Sequence, residues 1–250
     1  MIQNSAFGET IIELNEIDST NNYAMRLINE GMAEHGLVIK ADFQTHGKGQ
    51  HGNVWIAEES KNLLCSVILD TRTLEIEDQF LLNCLTCVSI TEILMQQYNL
   101  PNVSIKWPND IYAGKNKIAG ILIENNIRGS IWTNAVIGIG LNVNQSTFSY
   151  LNNATSMKNE LQKEIKIIQV LKQLLKKMSG NINTFNREPE HFLTLYNNYL
   201  LQVGRQIQFM RKYELKGGLL KGVNKNGGIE IEEKQKVRSY QHKEIELLIQ

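Results

Sequence analysis

The sequence predicts an α+β fold: a larger mixed-sheet domain over residues 1–200, followed by a small β-barrel over 201–250. Three observations carry this. Strand-like and helix-like segments mix in the first part without strict βαβ alternation, which favours α+β over a doubly wound sheet. Two long stretches, 77–98 and 165–201, have a helical period. The last segment holds the short runs QIQFM, LLKGV, GIEIE and EIELLI, separated by turns such as the one at 224–228.

The elements follow in order. Residues 10–17 (TIIELNEI) have strand propensity. Asp18, Ser19 and Thr20 are capping residue types for a helix through Tyr23, Ala24, Leu27 and Ile28, which Gly31 stops. A strand over 37–44 leads into a polar glycine loop, and 62–69 (NLLCSVIL) is a short apolar strand. The stretch 77–98 gathers Phe80, Leu81, Cys84, Leu85, Val88 and Leu94 near one helix face. Strands are expected at 103–107, 117–124 and 135–143, and the Asn-rich segment 151–159 reads as a loop.

Composition narrows the function. Twenty-six basic and 26 acidic residues cancel, so the basic excess that supplies affinity for nucleic acid is missing. No signal peptide is evident and no apolar run is read as a membrane span, so a cytoplasmic protein is expected. Three cysteines, Cys65, Cys84 and Cys87, fit a reducing compartment. The spacing of Cys84 and Cys87 matches a redox pair, but they fall inside a helical stretch, where packing is the better reading.

Three segments carry chemistry. The loop QTHGKGQHGN (44–53) has glycines that bring backbone N–H groups close to a ligand, with Lys48 adding charge. Its histidines, His46 and His51, have no partners at a metal-binding spacing. In SIKWPND (104–110), Lys106 beside Trp107 in an otherwise apolar strand suggests an anionic ligand. In GIGLNVN (138–144), paired glycines at a strand end suggest close approach of a ligand, and Asn142 could read a purine edge.

In this order, DSTNN (18–22), QTHGKGQHGN, KWPND, KIAGILIE (117–124) and GIGLNVN resemble the successive signatures of biotin protein ligases. The resemblance implies a biotin/lipoate ligase-like (class II synthetase-like) mixed-sheet catalytic domain with an SH3-like C-terminal barrel. It implies an enzyme that makes biotinyl-5′-AMP from biotin and ATP, with Mg2+, then moves biotin to a lysine of a carboxylase carrier domain. Lys106 would be the catalytic residue. Ser19, Thr20, Asn21, Gln44, Lys48, Gly49, Gln50 and Lys106 would bind biotin. Gly47, Lys48, Gly49, Trp55, Lys117 and Asn142 would bind ATP or the adenylate, with Trp55 stacking on adenine; no metal ligand is assigned. Many relatives carry GRGRRG where this loop has GKGQHG, so Lys48 keeps a charge without the arginine fork and Gln50 has none.

Seventeen residues precede Asp18, too few for a winged helix-turn-helix, so no DNA binding is expected. No membrane association is expected either, and the protein would be a monomer or homodimer. The alternatives are a lipoate protein ligase and a non-catalytic sensor of biotin or its adenylate.

Overall fold

The computed structural model describes residues 2, 7–149 and 153–248, with the side chain of His51 excepted. Among the described residues twelve strands form two sheets, accompanied by five α-helices. The first sheet holds β1 (Ile11–Ile17), β2 (Val38–Gln44), β3 (Leu63–Asp70), β4 (Val103–Lys106), β5 (Asp110–Ala113), β6 (Asn116–Arg128) and β7 (Ile131–Leu141). Its order is β1-β2-β3-β7-β6-β5-β4, with β1 and β2 parallel and the other neighbours antiparallel, which makes it a mixed sheet as expected.

Side-chain alternation divides the strands between two cores. On one face Ile39, Ile68 and Val136 pack with Ala24 and Ile28 of α1 (Thr20–Asn29). On the other, Val38, Cys65, Val67, Ile137 and Ile139 join the main core beneath α2 (Gln79–Gln96), α4 (Ile167–Phe185) and α5 (Glu190–Tyr199). Because α1 packs on β2, β3 and β7, the rest of that face is available as a cleft floor.

The second sheet is antiparallel, ordered β11-β10-β9-β8-β12. It comprises β8 (Gln206–Arg211), β9 (Glu214–Val223), β10 (Ile229–Glu233), β11 (Lys236–Tyr240) and β12 (Glu246–Leu248), an arrangement consistent with an SH3-like module.

Several expectations change. The helix α2 is buried on nearly every side, because it lies between the sheet and two further helices. The stretch Ile76–Gln96 is also long and apolar enough to pass for a membrane span, contrary to the sequence reading, yet its apolar 18-residue window is 67% buried within the fold. The helical stretch 165–201 breaks into α4 and α5, since Pro189 begins a new helix and cannot continue an old one. Residues 110–113, for which no strand was expected, form β5, and β11 was not foreseen. Part of the Asn-rich segment is α3 (Met157–Leu161), capped by Ser156 Oγ on the Asn159 N–H at 3.1 Å. Residues 151 and 152 of that segment, and Ile249 of the last strand-like run, lie outside the described residues.

Candidate active site

A cleft of about 860 Å³ opens over the free part of the sheet. Its floor comes from β6 and β7, where Gly120 pairs with Gly140 and Leu122 with Gly138. The glycines are required by close approach. A Cβ on Gly138 would stand 2.3 Å from Asn21 Oδ1, and one on Gly140 would stand 2.4 Å from the Trp55 ring. The paired glycines predicted to admit a ligand thus also seat two side chains of the protein itself.

One wall is the start of α1. Ser19 takes the extended N-cap conformation, but its side chain makes no capping bond and lines the cleft instead. Thr20 donates its N–H to Gln44 Oε1 at 2.7 Å, and its hydroxyl reaches the same oxygen at 3.1 Å. Ser66 Oγ lies 2.7 Å from Thr20 Oγ1 and 2.6 Å from Asn21 Oδ1. Asn21 Nδ2 donates to Glu124 Oε2 at 2.8 Å and to the Leu122 carbonyl at 3.3 Å. These groups form one polar network at the base of the wall.

The glycine loop is folded back on itself. Trp55 N–H donates to the Gly47 carbonyl at 2.9 Å, Gly49 N–H to the Asn53 carbonyl at 2.7 Å, and Lys48 bridges Val54. Lys48, Gly49, Gln50, Asn53, Val54 and Trp55 face the cleft. Lys48 Nζ is 3.1 Å from Glu124 Oε1, so this cation already has a counter-ion. The Trp55 indole N–H is buried without an acceptor among the described residues.

The two lysines that line the cleft from β4 and β6 differ in a way that decides their chemistry. Lys117 Nζ forms an ion pair with Asp110 at 2.7 Å and sits 5.5 Å from the Trp55 ring centre. Among the described residues Lys106 Nζ meets only the Tyr112 hydroxyl, at 3.4 Å, and the face of the same ring. Burial, with Asp110 nearby, pushes the Tyr112 phenol up to about 12, so it stays neutral and gives Lys106 no anion. Among the described residues no carboxylate pairs with Lys106, which leaves its charge for a ligand.

Most predicted site residues meet here. Ser19, Thr20, Asn21, Gln44, Lys48, Gly49, Gln50, Trp55, Lys106 and Lys117 all line the cleft. Two do not: Gly47 lies behind the loop against the Trp55 carbonyl, and Asn142 is buried with Nδ2 on the Thr155 carbonyl at 2.9 Å. Sequence reasoning missed Ser66, Glu124 and Asp110. Ser66 is the one hydroxyl in an apolar strand, and Glu124 shares the face of Gly120 and Leu122 at strand period, so both left a faint signal. The second module's contribution, Met210–Tyr213 and His242–Leu247 along the cleft, left none.

The thiol pair is packing. Cys84 and Cys87 are unbridged and buried in α2, and burial pushes both thiols well above their ordinary value.

Comparison with known proteins shows the family of this chain. A bifunctional ligase/repressor BirA of Bacillus spizizenii is 27% identical over 98% of this chain and 76% of its own length. A biotin–[acetyl-CoA-carboxylase] ligase of Mycobacterium tuberculosis is 25% identical over 80% of this chain and 73% of its own length. The biotin protein ligase of Aquifex aeolicus in complex with biotin and ATP superposes with a TM-score of 0.80, at 28% identity, covering 96% of this chain and 99% of that one. A family model described as the biotin/lipoate A/B protein ligase family matches residues 14–142, and the chain belongs to that family.

Proposed function

We propose that this protein is an ATP-dependent biotin protein ligase. A biotin carboxylate oxygen attacks the α-phosphorus of ATP, forming biotinyl-5′-AMP as pyrophosphate leaves. The amine of a carrier lysine then attacks the acyl carbon, loses a proton and releases AMP. The first step brings two anions together, so the site must hold both and supply positive charge. The observation that carries the reading is Lys106, a cleft cation with no carboxylate partner among the described residues.

The other roles follow from chemistry and placement. Ser19, Thr20, Asn21 and Gln44 gather donors and acceptors suited to a ureido ring. Lys48, Gly49 and Gln50 border the ligand tail and phosphate. Trp55 has the surface to stack on adenine. Lys117 reaches phosphate only by loosening its ion pair with Asp110, and Asn142 reaches adenine only by leaving the Thr155 carbonyl. Magnesium is the ion expected with ATP. Among the described residues no group of three His, Cys, Asp or Glu side chains is placed to hold a metal, so the nucleotide's own phosphates would be its main ligands.

The partner would be the biotin carrier domain of a carboxylase. Balanced charge supports a ligase with no DNA partner, and three unbridged buried thiols support the cytoplasm. We also propose that residues 1–200 and 201–250 are the domain division, with the protein a monomer or homodimer.

The test is incubation with ATP, magnesium, a carrier domain and either biotin or lipoate, followed by weighing the carrier. Biotin addition supports this reading. Lipoate addition alone would make the protein a lipoate ligase, and no addition with tight biotin binding would make it a sensor.

A further inference from the structure

Glu124 does not line the cleft, yet it is bonded to two residues that do. Asn21 is 3% exposed and held over Gly138, so its amide has almost no room. Its oxygen faces Ser66 Oγ at 2.6 Å, and its nitrogen faces Glu124 Oε2 at 2.8 Å and the Leu122 carbonyl at 3.3 Å. A carboxylate and a carbonyl only accept hydrogen bonds. Turning the amide over would set its oxygen against both of them, so Glu124 decides which end of Asn21 points toward Ser66.

Ser66 has one proton and two acceptor neighbours, which allows two arrangements. Either Thr20 donates to Ser66 and Ser66 to Asn21, or Ser66 donates to Thr20 and Thr20 to Gln44 Oε1. In the first, Asn21 Oδ1 accepts from Ser66 and keeps a second lone pair for a ligand N–H, whereas the second sets two acceptor oxygens 2.6 Å apart with no proton between them. Rotation of two hydroxyls is all that separates them. The same Glu124 carboxylate also holds Lys48 of the glycine loop.

We propose that Glu124 is a positioning residue that locks the Asn21 amide oxygen toward the network, so that the wall accepts an N–H donor such as one side of a ureido ring. This rests on the biotin ligase reading. Glu124→Gln keeps the shape but forces an NH2 against either Asn21 Nδ2 or Lys48 Nζ.

Calorimetric titration of the full chain with biotin, without ATP, tests it in the parent, Glu124→Gln, Asn21→Ala and the double variant. Glu124→Gln is expected to weaken Kd about tenfold or more, as loss of a charged hydrogen bond does. In the Asn21→Ala background the same change should shift Kd less than about twofold, since coupled residues are not additive. Equal losses in both backgrounds, or an unchanged Kd in the single variant, overturn the proposal. A second measurement needs no variant: two cyclic carbamate analogues of biotin, each with one ureido N–H replaced by oxygen. The parent should bind one of them about tenfold more weakly than biotin, and equal binding of both overturns the proposal. A parent that binds no biotin defeats the ligase reading itself, whereas a parent that binds it and tolerates Glu124→Gln defeats only this inference.

Discussion

The indole of Trp55 occupies the space above Gly140, so close that a methyl group on that glycine would stand 2.4 Å from the ring. A strand of the cleft floor and a residue of the glycine loop are therefore fitted to each other. Two strand positions away, Gly138 seats Asn21 in the same manner.

Alanine at these two glycines should separate the two substrates. Gly140→Ala displaces Trp55 and should raise KM for ATP, while Gly138→Ala displaces Asn21 and should raise KM for biotin. Overpacking of this sort costs about 1–3 kcal/mol, enough for roughly tenfold in the affected KM. Steady-state pyrophosphate release reads both constants. Equal effects on both substrates from either variant would mean that the floor is not divided this way.

Lys106→Ala should nearly abolish adenylate formation and leave the fold intact. No carboxylate depends on Lys106 among the described residues, so its removal strands no buried anion. A single oriented donor to a developing anion contributes on the order of 3 kcal/mol. Pyrophosphate release within about tenfold of the parent, roughly 1.4 kcal/mol, would remove Lys106 from its role.

Trp107→Phe should destabilise the joint between the two sheets. The Trp107 Nε1–H donates to the Gly227 carbonyl at 2.8 Å, and its ring meets His242 edge-on at 5.5 Å. Leaving that carbonyl unpaired costs about 1–3 kcal/mol, or several degrees in Tm for a chain of this size. Calorimetry checks it, and a Tm within about one degree of the parent would show the bond to be dispensable.

Gln50→Arg should slow escape of preformed biotinyl-adenylate when no carrier is present. Gln50 borders the cleft with a neutral amide, and a hydrogen bond from a charged group contributes about 1.5–3 kcal/mol against about 1 for a neutral one. Stopped-flow release or stray labelling of bystander lysines reports the change. Release as fast as the parent's would place retention elsewhere in the loop.

Thiol reagents should leave the folded protein unlabelled and modify all three cysteines once it is denatured. All three are buried, and burial pushes the Cys65 thiol up to about 12, so little thiolate exists near neutrality. Rapid labelling of the native chain would contradict the packing assigned to Cys84 and Cys87.

Local signals in the sequence were enough for the mixed sheet, the helix opened at Ser19 and Thr20, and the cleft side chains carried by DSTNN, the glycine loop and KWPND. Each depends on residue type and short-range pattern, as with the apolar run of β3 or glycines where backbones must approach. Only the tertiary structure decided what those side chains meet. Lys117 is neutralised by Asp110 while Lys106 is not, although both are lysines on strands of the same sheet. Glu124 reaches Asn21 across 103 residues of chain, and Trp107 reaches Gly227 across 120. Likewise α2, which reads as one-sided, is enclosed because α4 and α5 return over it. Charge compensation and enclosure are properties of neighbours in space, and a strand's own pattern sets which way a side chain points without setting what stands opposite it.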